Sequence, residues 1–155
     1  MSVATVKEYL REWDKDGGVM EFDVSSATVE LAAQALNTAP ARIAKTLSIQ
    51  NGESCLLIVA AGDVKLDNAK FRARFGFKPR MLSVENVEEM TGHRVGGVCP
   101  FAVKSGVQVF TDVSLQRFET VFPAAGSANS AIELTCDELF EISGSLDWVD
   151  VCKIG

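Results

Sequence analysis

The stretch "KTLSIQNGESCLLIVAAG", residues 45–62, decides the fold. Two apolar runs flank Asn51-Gly52, a pair that supplies the positive φ angles of a tight turn, so the stretch predicts an antiparallel hairpin. Side chains alternate along a strand. If the first strand reaches back to residue 43, then Ile43, Lys45, Leu47 and Ile49 share one face, while Ala44, Thr46 and Ser48 take the other. The face with three large aliphatics is the core face, and Lys45 is the misfit on it. A lysine there is costly unless its ammonium reaches a cleft, a partner or a ligand. A lysine at a strand's first residue can also snorkel to water, and alternation alone leaves both readings open.

Working outward, residues 3–14 read as an amphipathic helix with Val3, Val6, Leu10 and Trp13 on one stripe. "GGVMEFDV" suggests a turn and a short strand. Ser26 is placed to cap a helix over 28–37, whose face carries Val29, Ala32, Ala33 and Leu36, and Pro40 opens a short turn running to Ala44. Beyond the hairpin, Asp67 caps "NAKFRARF", which Gly76 ends; Ser83 begins "VENVEEMT", which Gly92 ends. Strands are expected at 107–111, 119–123 and 130–134, then a T-x-x-E capping box at Thr135 and Glu138 for a helix over 136–142. "WVDVC" closes the chain as a last strand. Interspersed helices, strands and hairpins predict an α/β (α+β) fold with a mixed central sheet, and 155 residues suit a single domain, 1–155.

No apolar run approaches the ~18 residues needed to cross a bilayer, and the mixed-charge N-terminus has no signal-peptide core. A soluble cytoplasmic protein is therefore expected. Cys55, Cys99, Cys136 and Cys152 lie far apart, without metal-ligand spacing, so no metal site or cofactor is expected. The net charge of −6 argues against non-specific binding to duplex nucleic acid such as DNA. Basic residues do gather at Lys65, Lys70, Arg72, Arg74, Lys78 and Arg80, as a solvated helix face or a local phosphate contact.

"TGHRVGGVCPF", residues 91–101, holds the single histidine, His93, six positions before Cys99. A thiol catalyst would need a lowered Cys99 pKa and a base within hydrogen-bond reach. The alternative is a backbone loop: Gly96 and Gly97 before Pro100 allow close approach of a ligand to main-chain N–H groups, or simply a tight connection. Asp112 is in phase with Phe110, which turns it inward at a strand end or leaves it exposed there.

Five ordered segments, "ATVELAAQAL…PARIAKTLSIQ", "LLIVAAGDVKLDNAKF", "EEMTGHRVGGVCPF", "VFTDVSL" and "VFPAAGSANSAIELT", resemble the YbaK-type aminoacyl-tRNA deacylases, relatives of the editing (insertion) domain of bacterial prolyl-tRNA synthetases. The resemblance runs over residues 20–152. It implies a central barrel-like mixed sheet flanked by helices, and metal-independent hydrolysis of the ester on a mischarged tRNA, commonly tRNA(Pro), by a free-standing enzyme. The partner implied is the acceptor end of aminoacyl-tRNA, with an aminoacyl-tRNA synthetase as a second candidate, and neither membrane nor DNA. The family's lysine falls on Lys45, its G-x-x-x-P loop on Gly96 to Pro100 (with Gly97 and Val98 inside it) and its strand-end aspartate on Asp112. Substrate-binding positions fall on Phe22, Thr46, Cys99, Gly126 and Ser127, with Lys70, Arg72 and Arg74 as candidate tRNA contacts. Two departures stand out. The 126–129 loop reads "GSAN" where some relatives carry basic residues, and His93 stands where relatives often have tyrosine, as a helix-end residue. A non-catalytic binding module of the same fold is the competing reading.

Overall fold

The computed structural model describes residues 3–155. In chain order it contains α1 (Val3–Leu10), β1 (Met20–Glu21), α2 (Val29–Leu36), β2 (Ile43–Asn51), β3 (Ser54–Ala61), β4 (Val64–Leu66), α3 (Asn68–Phe75) and α4 (Val84–Thr91). Then follow β5 (Gln108–Asp112), β6 (Thr120–Pro123), β7 (Ser130–Ala131), β8 (Leu134–Thr135), α5 (Cys136–Ser143), β9 (Trp148–Val149) and β10 (Cys152–Ile154).

The hairpin is the spine. β2 and β3 pair antiparallel from Ala44↔Ala61 to Asn51↔Ser54, at the centre of a curled six-stranded sheet ordered β8-β6-β2-β3-β5-β9. The sheet is mixed: β6 runs parallel to β2, and β5 parallel to β3. The turn differs from the one expected. Asn51 and Ser54 still pair, so Gly52-Glu53 form the loop, and of these Gly52 alone takes a positive φ, +62°. A glycine at the first central position is the arrangement that suits strand twist in a two-residue loop.

β3 is buried along Cys55–Ala61 and forms the floor of the core with Phe71, Phe101, Leu115, Leu134, Leu139 and Ile142. Each such fully buried large side chain contributes roughly 1.5–3 kcal/mol. Val6 and Leu10 seat α1 on that core as its stripe predicts. Helix ends follow local chemistry. Lys70 N–H donates to Asp67 Oδ1 at 3.0 Å, and Thr135 and Glu138 form the reciprocal box that starts α5. Ser26, expected as the α2 cap, is not the cap. Thr28 Oγ1 accepts from Leu31 N–H instead, because it stands directly before the first helical residue. Ser83 precedes α4 but its side chain makes no capping bond.

Candidate active site: a cleft at a gap in the sheet

The outer edge of β2 is covered in two pieces. β6 pairs with Ile43 and Ala44, and residues 80–82 bridge at Ile49, with Gln50 N–H donating to Arg80 O and Leu82 N–H to Ser48 O. Between them the edge is open. A cleft of about 270 Å³ occupies that gap, walled by α2 (Val29, Ala32), by Met81 and Leu82, by Val95, Gly96 and Val98, and by Phe122 and Ala131. The strand interruption thus creates the site, and the glycine loop after α4 forms its opposite wall.

Lys45 lines this cleft together with Ala44, Thr46 and Ser48 of the opposite face of β2, whereas Leu47 and Ile49, which share its own face, do not border it. Its side chain is half-buried, and its ammonium donates to the carbonyl of Val64 and, at 3.5 Å, to that of Gly62. Burial lowers its pKa from the ordinary lysine value, partly offset by Cys152, Asp63 and Glu30 nearby. The Gly62 carbonyl comes from the turn between β3 and β4 and that of Val64 from the first residue of β4, and the turn is itself fixed. A Cβ on Gly62 would lie 2.1 Å from Pro40 O, so glycine lets that turn rest on the Pro40–Arg42 turn. Arg117 holds Asp63 in the same turn through two bonds of 2.6 and 3.0 Å, keeping its carboxyl below the usual range. These supports were not legible as site residues; the nearest signal was the Gly-Asp pair ending a long apolar run.

The glycine loop is shaped by its neighbour. Gly96 takes φ +90°, and a Cβ on Gly97 would sit 2.9 Å from the Ser127 main chain. Gly97 N–H is spent on Arg94 O at 3.0 Å, so it is not free to hold an ester. Among the described residues no acceptor meets the N–H groups of Val95, Gly96 or Val98, all of which line the cleft, so these are the loop's available donors.

Several sequence candidates lie elsewhere. Asp112 is 1% exposed and does not border the cleft; its two oxygens accept from Ser114 N–H and Val151 N–H, both at 2.9 Å, so it ties β5 to the chain's last segment. Cys99 is sealed in the core behind the loop rather than exposed to substrate, and Pro100 is buried beside it. Burial pushes the Cys99 thiol up to about 12. Its neighbour His93 cannot serve as base, because Nε2 donates to Phe101 O at 2.7 Å and it is this protonated nitrogen that lies 3.6 Å from Cys99 Sγ. The two conditions for the thiol reading, a lowered Cys99 pKa and a neighbouring base, are both unmet in this geometry. Phe22 does not reach the cleft but exchanges hydrogen bonds with Asn129 (2.8 and 2.9 Å), and Gly126 and Ser127 line a separate hollow behind the loop with Arg94 and Asn129. Thr46 does line the cleft.

Nor is the basic cluster uniformly free. Lys70 binds Asp150 and the Cys152 carbonyl, each at 3.0 Å, and Arg74 binds Asp147 at 2.9 Å while lying over the Phe75 ring. Arg72 is exposed and holds no ion pair among the described residues. No group of three or more His, Cys, Asp or Glu side chains among those residues is placed to hold a metal, and no helix is long and apolar enough to cross a membrane.

With this geometry in view, residues 24–142 match the family model of the aminoacyl-tRNA editing domain. The chain belongs to that family. As an editing-domain protein it is 54% identical over 154 residues to YwhH of Bacillus subtilis (strain 168), itself uncharacterized, covering 99% of this chain and 98% of that one. Its fold matches the crystal structure of a "putative trans-editing enzyme for prolyl tRNA synthetase" with a TM-score of 0.86 at 27% identity, over 97% of this chain and 96% of the other. A second match, the crystal structure of "hypothetical protein APE2540", has a TM-score of 0.84 at 26% identity, over 96% and 99%. The editing domain's match ends at residue 142, so β9 and β10 fall outside it.

Proposed function

We propose that the chain acts as one free-standing domain that hydrolyses the ester of mischarged aminoacyl-tRNA, tRNA(Pro) among its substrates. The observation that carries this is Lys45: a fixed, half-buried cation on one wall of a cleft whose other wall is the glycine loop. An ester carbonyl gains negative charge as water attacks it, and charge already in place needs no reorganisation at that moment. The Gly62 and Val64 carbonyls keep the ammonium from swinging to solvent, so Lys45 supplies charge at a constant position toward the adenosine-phosphate or carbonyl side of the substrate. The Val98 N–H, with those of Val95 and Gly96 in the same loop, is a free donor for the developing oxyanion. Water attacks directly, with no acyl intermediate on the protein, in keeping with a sealed, protonated Cys99. Asp112, with both oxygens engaged, supports the fold rather than the reaction.

The acidic chain, at −6, grips the acceptor end alone or gains affinity through a synthetase. The test is deacylation by the purified chain of a panel that includes Ala-, Cys- and Ser-tRNA(Pro). Hydrolysis of at least one supports the reading. Hydrolysis of none overturns it in favour of a binding module of the same fold.

A further inference from the structure

The glycine loop carries free N–H donors into the cleft, yet little inside the loop fixes them. Residues 92–107 contain neither an α-helix nor a strand. Within residues 94–100, the one main-chain hydrogen bond among the described residues runs from Gly97 N–H to Arg94 O, at 3.0 Å. Donors that must meet a developing oxyanion in a set geometry need a firmer support.

That support lies at the neck of the loop. His93, just before it, reaches across to Phe101, just after it, and Nε2–H donates to the Phe101 carbonyl at 2.7 Å. The main chain of His93 is fixed in turn: its N–H donates to Thr91 Oγ1 at 3.0 Å, and Thr91 Oγ1 donates to Val87 O at 2.7 Å in the last turn of α4. One layer further out, Lys104 N–H donates to Thr91 O at 3.2 Å. The chain thus enters and leaves the loop beside the end of α4, and the imidazole is the innermost tie. It is sealed from water, with Nδ1 unpaired among the described residues. An apolar side chain would fill the core without that cost, so what the ring contributes is the bond made by its other nitrogen.

Ala102 shows what the tie restrains. It directly follows the carbonyl that His93 holds, and it takes φ +53°, the left-handed region that a Cβ disfavours. The other non-glycine residues with positive φ among those described, Asp14 and Asn37, close helical turns, where the conformation is common. Ala102 caps no helix. Such a conformation persists only where its surroundings over-determine it.

We infer that His93 is a positioning residue for deacylation: its imidazole holds the strained Phe101–Ala102 exit of the glycine loop and so sets where the Val95, Gly96 and Val98 N–H groups stand in the cleft. This rests on the deacylase reading above. His93 does not border the cleft, so it reaches the reaction through the main chain alone.

The experiment measures kcat and KM for a mischarged tRNA, and hydrogen exchange of the 94–101 peptide, on the full chain below its melting temperature. H93L keeps an apolar filler and removes the bond. It should lower kcat at least about tenfold, leave KM within about threefold and speed exchange in 94–101. H93M, whose flexible side chain adapts to irregular gaps, repeats the test where H93L does not fold. H93Q retains a side-chain N–H for the Phe101 carbonyl and should stay within about threefold of the wild type. In H93L/A102G, a glycine takes positive φ without strain and should recover at least about threefold of the lost rate. A wild-type kcat in folded H93L, or an equal loss in H93Q, assigns the imidazole to core packing and overturns this inference, leaving the deacylase reading standing. Unchanged exchange in H93L, or no recovery in H93L/A102G, overturns it too. No hydrolysis by the wild-type chain overturns the deacylase reading, and this inference with it.

Discussion

Gly97 lies so close to Ser127 that a single added carbon would stand 2.9 Å from the Ser127 main chain. The cleft's glycine loop and the 126–129 loop therefore touch through hydrogen alone. Gly97→Ala must push them apart, at a cost of about 1–3 kcal/mol for overpacking. Because the same loop carries Val98, we expect G97A to lower both the melting temperature and deacylation. Thermal melts and single-turnover rates measure the two effects. Unchanged values for both would show that the loops yield freely.

Cys99 has no part in the reaction on this account. C99A and C99S should retain deacylation within about threefold, whereas loss of a true thiol nucleophile would abolish it. With its thiol buried and its pKa pushed to about 12, Cys99 should also resist alkylation in the folded chain and react only on unfolding. Mass spectrometry after brief iodoacetamide treatment reads this directly.

His93 makes stability depend on pH. It is fully buried, and burial lowers its pKa below 6.5, only partly offset by the Phe101 carbonyl; its Nδ1 has no partner among the described residues. The unfolded chain therefore takes up the proton first as pH falls. Stability from this residue is complete above the unfolded value of about 6.5 and is lost as pH drops through that value toward the folded pKa. Melting curves from about pH 7.5 to 5 should show the wild type losing ground relative to H93Q. Parallel curves would assign the acid sensitivity to other groups.

Arg72 and Arg74 should separate cleanly. Arg74 is committed to Asp147 and to the Phe75 and Phe110 rings, while Arg72 is free for a phosphate. R72E should raise KM for charged tRNA about three- to tenfold with kcat retained, and leave hydrolysis of a minimal aminoacyl ester unchanged. R74E should also lower the melting temperature. Equal loss on tRNA and ester by R72E would contradict a tRNA contact.

The sequence made the spine of the fold legible because local rules agree there. Strand alternation across residues 43–49, a glycine turn and the caps at Asp67 and Thr135 each have a short-range cause. Alternation also flagged Lys45. What it could not supply was long-range: that β2's edge is left open between β6 and residues 80–82, or that Gly62 and Val64 hold the ammonium. The inward phase of Asp112 was readable, but not that two distant N–H groups occupy its oxygens. Ser26 illustrates the same limit. Its type and position suited a helix cap, and the tertiary fold set it in the cleft wall instead.

The central claim is that Lys45 is the fixed charge that makes this cleft a deacylase. The most direct measurement is the single-turnover deacylation rate of K45A on a tRNA that the wild type hydrolyses, with melting curves to confirm folding. The account predicts a loss of at least about 100-fold, the scale of removing one preorganised electrostatic group. A K45A rate equal to that of the wild type would contradict it.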